Sequence, residues 1–212
     1  MNMGRQVWVC VFAPLFLAGF SLLGGCSTQH NSLTMASLDR RHDFNQTFSH
    51  AYAAFDDNGD YDIVLVHDAA AASPTDGNGA VRPAEVTPRQ VVHIRVFWIP
   101  ERGAKMDHPV ATNAAFRWYV FGDRADDSVD YLEYSGSALV MVSDDGKTAW
   151  ASVRGAILKL GARQGDMADP LGPSTVTGDI TALVNRQRVD EVLNDVKAIG
   201  AGPNVQAASG GN

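Results

Sequence analysis

The sequence predicts a mainly β fold, an antiparallel β-sandwich or open barrel with a C-terminal amphipathic helix. Three observations carry that prediction. Short segments rich in β-branched and aromatic residues follow one another, with Gly, Pro, Asn or Asp between many of them. Two of the breaks are Asn58-Gly59 and Asp145-Gly146, the dipeptides that favour tight hairpins. One stretch near the C terminus has an apolar stripe at helical spacing.

The strand segments are Tyr61–His67, Gln90–Trp98, Ala114–Phe121, Asp130–Tyr134, Ser137–Ser143, Thr148–Arg154, Ala156–Leu160 and Thr175–Leu183. They do not alternate with helices, which argues against a doubly wound parallel sheet. A two-residue turn at Asp145-Gly146 pairs Asp144 with Lys147 and puts Val142–Ala149, Val140–Ala151 and Ala138–Val153 on one apolar face. Met141 and Trp150 then pair on the other face. The same turn at Asn58-Gly59 pairs Ala54 with Ile63, Tyr52 with Leu65 and His50 with His67, which makes residues 48–56 a strand. Phe44, Phe48, Ala51, Tyr52 and Phe55 also fit a helical stripe. The Asn-Gly pair favours the hairpin, because it reflects a backbone requirement as well as a pattern. Residues 68–89 and 99–113 read as loops. The helix spans about 185–200, with Val189, Val192, Leu193, Val196 and Ile199 on one side, Asn185 as N-cap, and Gly200 and Pro203 as stops.

The chain has 212 residues, a formal charge of −7 and a pI near 5.2. That acidity argues against a nucleic-acid partner, which needs a basic face to displace counterions from phosphates. Two cysteines exclude a disulfide framework and a four-cysteine zinc site. Residues 1–25 have the parts of a secretory signal: Arg5 near the start, an uncharged apolar run from Val7 to Leu23, and small residues before Cys26. No basic stop-transfer cluster follows, as a transmembrane anchor would have. Leu23-Gly24-Gly25-Cys26 resembles the lipobox of bacterial lipoproteins. The resemblance covers residues 1–26 only, and no family is recognised in the mature domain.

The resemblance implies cleavage before Cys26, a covalent lipid on its thiol and a lipid anchor in the cell envelope. Ser27 follows the cysteine where an Asp would favour inner-membrane retention, which implies the outer membrane, at its periplasmic face in a Gram-negative host. Cleavage removes Arg5, the one charged residue of the segment, so the net charge moves from −7 to −8. The expected organisation is signal peptide 1–25, lipidated tether 26–41, β-rich domain 42–201 and flexible tail 202–212. Beyond the lipid, no cofactor is expected. The expected partners are the membrane, through the lipid anchor, and a protein of the envelope.

Catalytic signatures are weak. Neither a nucleophile elbow, a zincin helix motif, a Walker loop nor a dinucleotide-binding glycine motif occurs. The acidic turn 56–62 has closely spaced carboxylates, but an EF-hand aligned on Gly59 would need acids where Ala54 and Leu65 stand. His50, His67, His93 and His108 are the candidate metal or acid/base residues, and carboxylates such as Asp68 or Asp107 follow or precede them. They would serve a metal-assisted or acid/base hydrolase, although nothing in the sequence places Ser135 or Ser137 beside His108. The aromatics Trp98, Phe116, Trp118, Tyr119, Phe121, Tyr131, Tyr134 and Trp150 read mostly as core. An exposed subset would make a binding platform flanked by His93, Arg95 and Arg117. The expectation is therefore a lipid-anchored, non-enzymatic binding or scaffolding protein, with the hydrolase as the competing class.

Overall fold

Alternation of side chains along the strands decides the architecture. Inward positions are apolar, and together they fill one interior. The computed structural model describes residues 31–39, 43–56, 58–68, 89–99, 112–123, 129–169, 171–200 and 206–207. In chain order these form β1 (Asn31–Ser37), β2 (Asp43–Phe48), β3 (His50–Phe55), β4 (Tyr61–His67), β5 (Arg89–Val96), β6 (Ala114–Asp123), β7 (Val129–Asp144), β8 (Thr148–Gln164), β9 (Ser174–Val184), α1 (Arg186–Gly200) and β10 (Gln206–Ala207). The mainly β class with a C-terminal helix is as the sequence predicts.

From β3 to β9 each strand pairs antiparallel with the next in a ring, except that β9 meets β3 in a short parallel contact. Tyr52 pairs there with Leu183, and Ala53 with Val184. β8 runs along one edge of β9, from Ser174 to Leu183. On the other edge β1 pairs with residues 174–179 and β3 with 183–184. β1 is thus a wedge between β9 and β2, and β10 adds two residues to the edge of β8.

The interior is packed along its length. Ile63, Leu65, Val92, Ile94, Phe116, Trp118, Leu132, Tyr134, Leu158 and Val176 are almost or fully buried in one cluster. The buried amides of Gln46, Gln90 and Asn113 and the Trp118 indole are hydrogen-bonded inside. Trp118 Nε1 donates to Gln90 Oε1, Gln90 Nε2 to Gln46 Oε1, and Gln46 Nε2 to the Thr47 carbonyl. Asn113 closes the gap beside β7, donating to the Trp98 and Val140 carbonyls and accepting from the Val140 amide. One end is capped by residues 165–173. Met167 and Leu171 pack on the core, and Asp169 accepts from the Tyr134 hydroxyl and from the amides of Leu171 and Gly172. At the other end the Tyr61 hydroxyl donates to Asp144 on the β7–β8 hairpin.

α1 lies on the outside of the barrel. Val189 packs on Ala54 and Val64, while Val196 packs with Val91, Tyr119, Phe121 and Tyr131. Asn185 is the N-cap, its side chain accepting from the Arg188 amide at 3.1 Å. Its own amide donates to the Ala53 carbonyl, which fixes the start of the helix to β3.

Both hairpins differ from the two-residue turns expected, and the cause is the same. An Asp carboxylate captures backbone amides and lengthens the loop. Asp145 accepts from Lys147 and Thr148, so Asp144 pairs with Ala149 instead of Lys147. That slip of two residues leaves every side chain on its expected face: Val140, Val142, Ala151 and Val153 point inward, Met141 and Trp150 outward. Asp56 accepts from the Asn58 and Asp60 amides, so Phe55 pairs with Tyr61 and His50 with Val66. A slip of one residue inverts the faces. Ala53, not Ala54, joins Ile63 in the interior.

Two further expectations are corrected, and the helical stripe set aside in favour of a strand is explained. Residues 31–37, read as part of the tether, are β1, with Leu33 and Met35 fully buried. Residues 130–143 are one strand and 148–164 another, each kept continuous by bulges. The helical stripe across residues 44–55 comes from a break at Ser49. Gln46 and Phe48 point inward before it, Ala51 and Ala53 after it, and the odd step from 48 to 51 imitates a helix turn.

The wedge has a clear test. A Cβ at Gly178 would lie 2.4 Å from the Ser32 carbonyl oxygen and 2.9 Å from Leu33. Gly178→Ala should force β1 away from β9 and cost about 1–3 kcal/mol, the usual cost of overpacking. Urea unfolding reads this as a lowered midpoint, and a wild-type midpoint would mean that β1 contributes little to the fold.

Candidate functional site

With the lumen filled by core side chains, a ligand-sized concavity lies on the outer wall. A groove of about 440 Å³ runs between α1 and the outward faces of β4, β5 and β6. The odd-numbered positions of β5 and β6 supply its wall: His93, Arg95 and Phe97 on one side, Ala115, Arg117 and Tyr119 on the other. Asp62 enters from β4, and Asp190, Leu193, Val196 and Lys197 from α1. Cross-strand pairing sets His93 directly opposite Arg117 and Arg95 opposite Ala115.

The groove is a set of partly buried ion pairs. His93 Nε2 is 2.7 Å from Asp62 Oδ1, Arg95 is 3.3 Å from Asp60, and Arg117 is 3.7 Å from Glu133. The Arg95 guanidinium also lies 6.0 Å from the centroid of the Phe97 ring, at the limit of a cation–π contact. Burial raises the Asp62 carboxyl, but the hydrogen bond and charge of His93, with Arg95 and Arg186, outweigh it and hold it below its ordinary value. At Glu133 the balance reverses: burial pushes the carboxyl up against the opposing charge of Arg117. Burial also raises the Tyr119 hydroxyl, while the hydrogen bond between Tyr119 and Arg117 raises the guanidinium further.

The expected histidine cluster does not form among the described residues. His50 points outward, 3.5 Å from Asp68, and stacks on Tyr52. His67 belongs to the opposite face, with Nδ1 3.1 Å from the Thr47 carbonyl. The one-residue slip of the first hairpin separates them. His93 is engaged by Asp62 on the outer wall. His108 and its neighbour Asp107 lie outside the described residues, as does Cys26. No group of three metal-ligating side chains occurs among the described residues. In the acidic turn Asp56 holds backbone amides, Asp60 faces Arg95, and Asp62 faces His93. Ser135 sits between Arg117 and Lys159 in the sheet, away from the other described candidates.

Comparison with protein-family models, with curated proteins and with solved structures gave no match to this chain. The site is therefore read from its own chemistry. Of the aromatics singled out in the sequence, Phe116, Trp118 and Tyr134 fill the lumen. Tyr119, Phe121 and Tyr131 lie beneath α1, and Trp98 and Trp150 are exposed. His93, Arg95 and Arg117, the candidate flanks of a platform, come together on the outer wall. Phe97, Asp190 and Lys197 were missed. Phe97 stands two residues beyond Arg95, so its place on the same face was readable. The α1 residues depend on where the helix docks, which no periodicity reveals.

The Asp62 carboxyl is open to titration. A carboxyl held below its ordinary value contributes stability above that value and loses it as pH falls through the lowered one. For Asp62 this window lies below about pH 4. His93→Ala removes the main opposition to burial, so a carboxyl-carbon NMR titration should show the Asp62 midpoint moving up. An unmoved midpoint would mean that His93 is not what holds it.

Proposed function

We propose that the protein is a lipid-anchored envelope protein whose barrel is a non-enzymatic binding module, with the α1–β5–β6 groove as its binding surface. The observation that supports this reading is the groove itself, about 440 Å³ on the outer wall of a barrel whose interior is filled by side chains. Arg95, Arg117 and Lys197 present three permanent cations beside Phe97 and Tyr119, in a chain whose overall charge is −7. Guanidinium groups suit carboxylate and phosphate oxygens, and the aromatic rings suit an apolar body attached to them. Their present carboxylate partners are exchangeable ones, because the Arg95 and Arg117 side chains are about half exposed, at 47% and 56%.

The anchor half of the proposal rests on Leu23-Gly24-Gly25-Cys26 closing an apolar signal. Two acyl chains or more give effectively permanent attachment at about 0.8 kcal/mol per buried methylene. Cys26→Ala should abolish acyl labelling and release the protein from the membrane fraction. Labelling that survives the substitution would refute the anchor.

The groove half is tested with phenyl phosphate as a probe. Titration followed by NMR should shift the resonances of Arg95, Arg117 and Tyr119 first, and Arg117→Gln should weaken binding several-fold. Shifts confined to other surfaces, or no shifts at millimolar probe, would sink the groove as an anion site.

A further inference from the structure

Large apolar side chains stand exposed among polar ones on the outer face of β7, β8 and β9. Met141, Trp150, Ile157 and Leu183 are 40%, 44%, 65% and 56% exposed. Register makes three of them neighbours: Trp150 lies opposite Ser143 and Thr181, so Met141 and Leu183 are its diagonal neighbours on the same face. Arg154 and Lys159 of β8 point the same way and are exposed. Asp179, the acid beside them on β9, accepts a hydrogen bond from the Ser152 hydroxyl.

What faces this wall follows from where the chain enters the fold. β1 begins at Asn31, whose side chain accepts from the Thr181 amide at 2.7 Å, and Thr181 pairs with Trp150. Asn31 is therefore two strand spacings from Trp150, about 10 Å. Only residues 27–30 separate it from Cys26. Five residue steps span at most about 17 Å even when fully extended. An acylated Cys26 sits at the membrane surface, so the wall beside Asn31 cannot stand far from the lipid. A tether reaching to residue 41 would have allowed the domain to stand clear. The incorporation of residues 31–37 into the sheet removes that freedom.

We infer that the β7–β9 wall lies against the bilayer that holds Cys26, with Trp150, Met141 and Leu183 in the headgroup region and Arg154 and Lys159 toward lipid phosphates. Indole favours that region because it has an apolar body and a polar N–H. Basic side chains near an anionic surface add to the attraction. This inference rests on acylation of Cys26. Phe97, Trp98 and Ile99 are also exposed, but they follow β5, across the ring from β9.

The full mature protein tests it. Acylated protein, its lipid verified by mass, is placed in phosphatidylcholine vesicles with or without brominated phospholipid, which quenches indole on contact. Subtracting the emission of Trp150→Phe from that of the wild type isolates Trp150. Brominated lipid should remove most of that difference, while Trp98→Phe should leave the loss unchanged. Trp150 is exposed, so its replacement does not threaten the core. Acylated protein whose Trp150 emission ignores bromine would overturn the wall and leave the anchor standing. Unquenched Trp150 together with crosslinks between copies through this face would assign the wall to self-association and overturn the inference. Mature protein without acyl chains would overturn the anchor and the inference together.

Discussion

β9 is the strand on which the barrel closes. It takes β8 along its whole length and divides its other edge between β1 and β3. The direct contact with β3 is only two residue pairs long, so the closure depends on β1 filling the remaining length. An open edge there would leave unpaired amides and carbonyls beside the core. Closure also fixes α1, since the chain passes from Val184 through the Asn185 amide bond with Ala53 directly into the helix.

A closed and filled barrel moves chemistry to its surface. The interior holds side chains at every level, with Gln46, Gln90 and Asn113 bonded to internal partners. An unmade bond at such a site costs about 1–3 kcal/mol, which makes these residues architectural. The outer wall is different. His93, Arg95 and Arg117 are held in register by the β5–β6 ladder, and each has an acid within 4 Å. The ladder provides rigidity, and the ion pairs provide a surface that an external anion can enter by competition. Opposite that surface in the ring lie β8 and β9, so the bilayer inferred for that wall would leave the groove turned to the aqueous side.

Much of this fold was legible because alternation is a local property. Tyr61–His67 is bounded as the sequence predicts, and Asn185 caps α1 as expected. Faces survived the longer Asp145 turn because its slip was even, and failed at Asp56 because its slip was odd. Neither slip could be read from the dipeptides alone, since each depends on which amides a neighbouring carboxylate captures. β1 was hidden by composition: only Leu33 and Met35 are large and apolar in NSLTMAS, although their spacing of two was the signal. In the groove the strand residues were legible and Asp190 and Lys197 were not, because helix docking is decided by tertiary packing on Ala54, Val64 and Val91.

The position of β1 also sets how the fold bears force. Tension applied to the chain ahead of Asn31, as the proposed lipid anchor would apply it, acts along the axis of β1. That strand is hydrogen-bonded on both edges, to β9 and to β2. Antiparallel ladders have their hydrogen bonds perpendicular to the strands. Such a pull loads the two ladders in shear, with all their bonds sharing the strain at once instead of opening one after another. The strand with the weakest sequence signal is thus the one placed to carry any mechanical load that the proposed anchor would pass to the barrel.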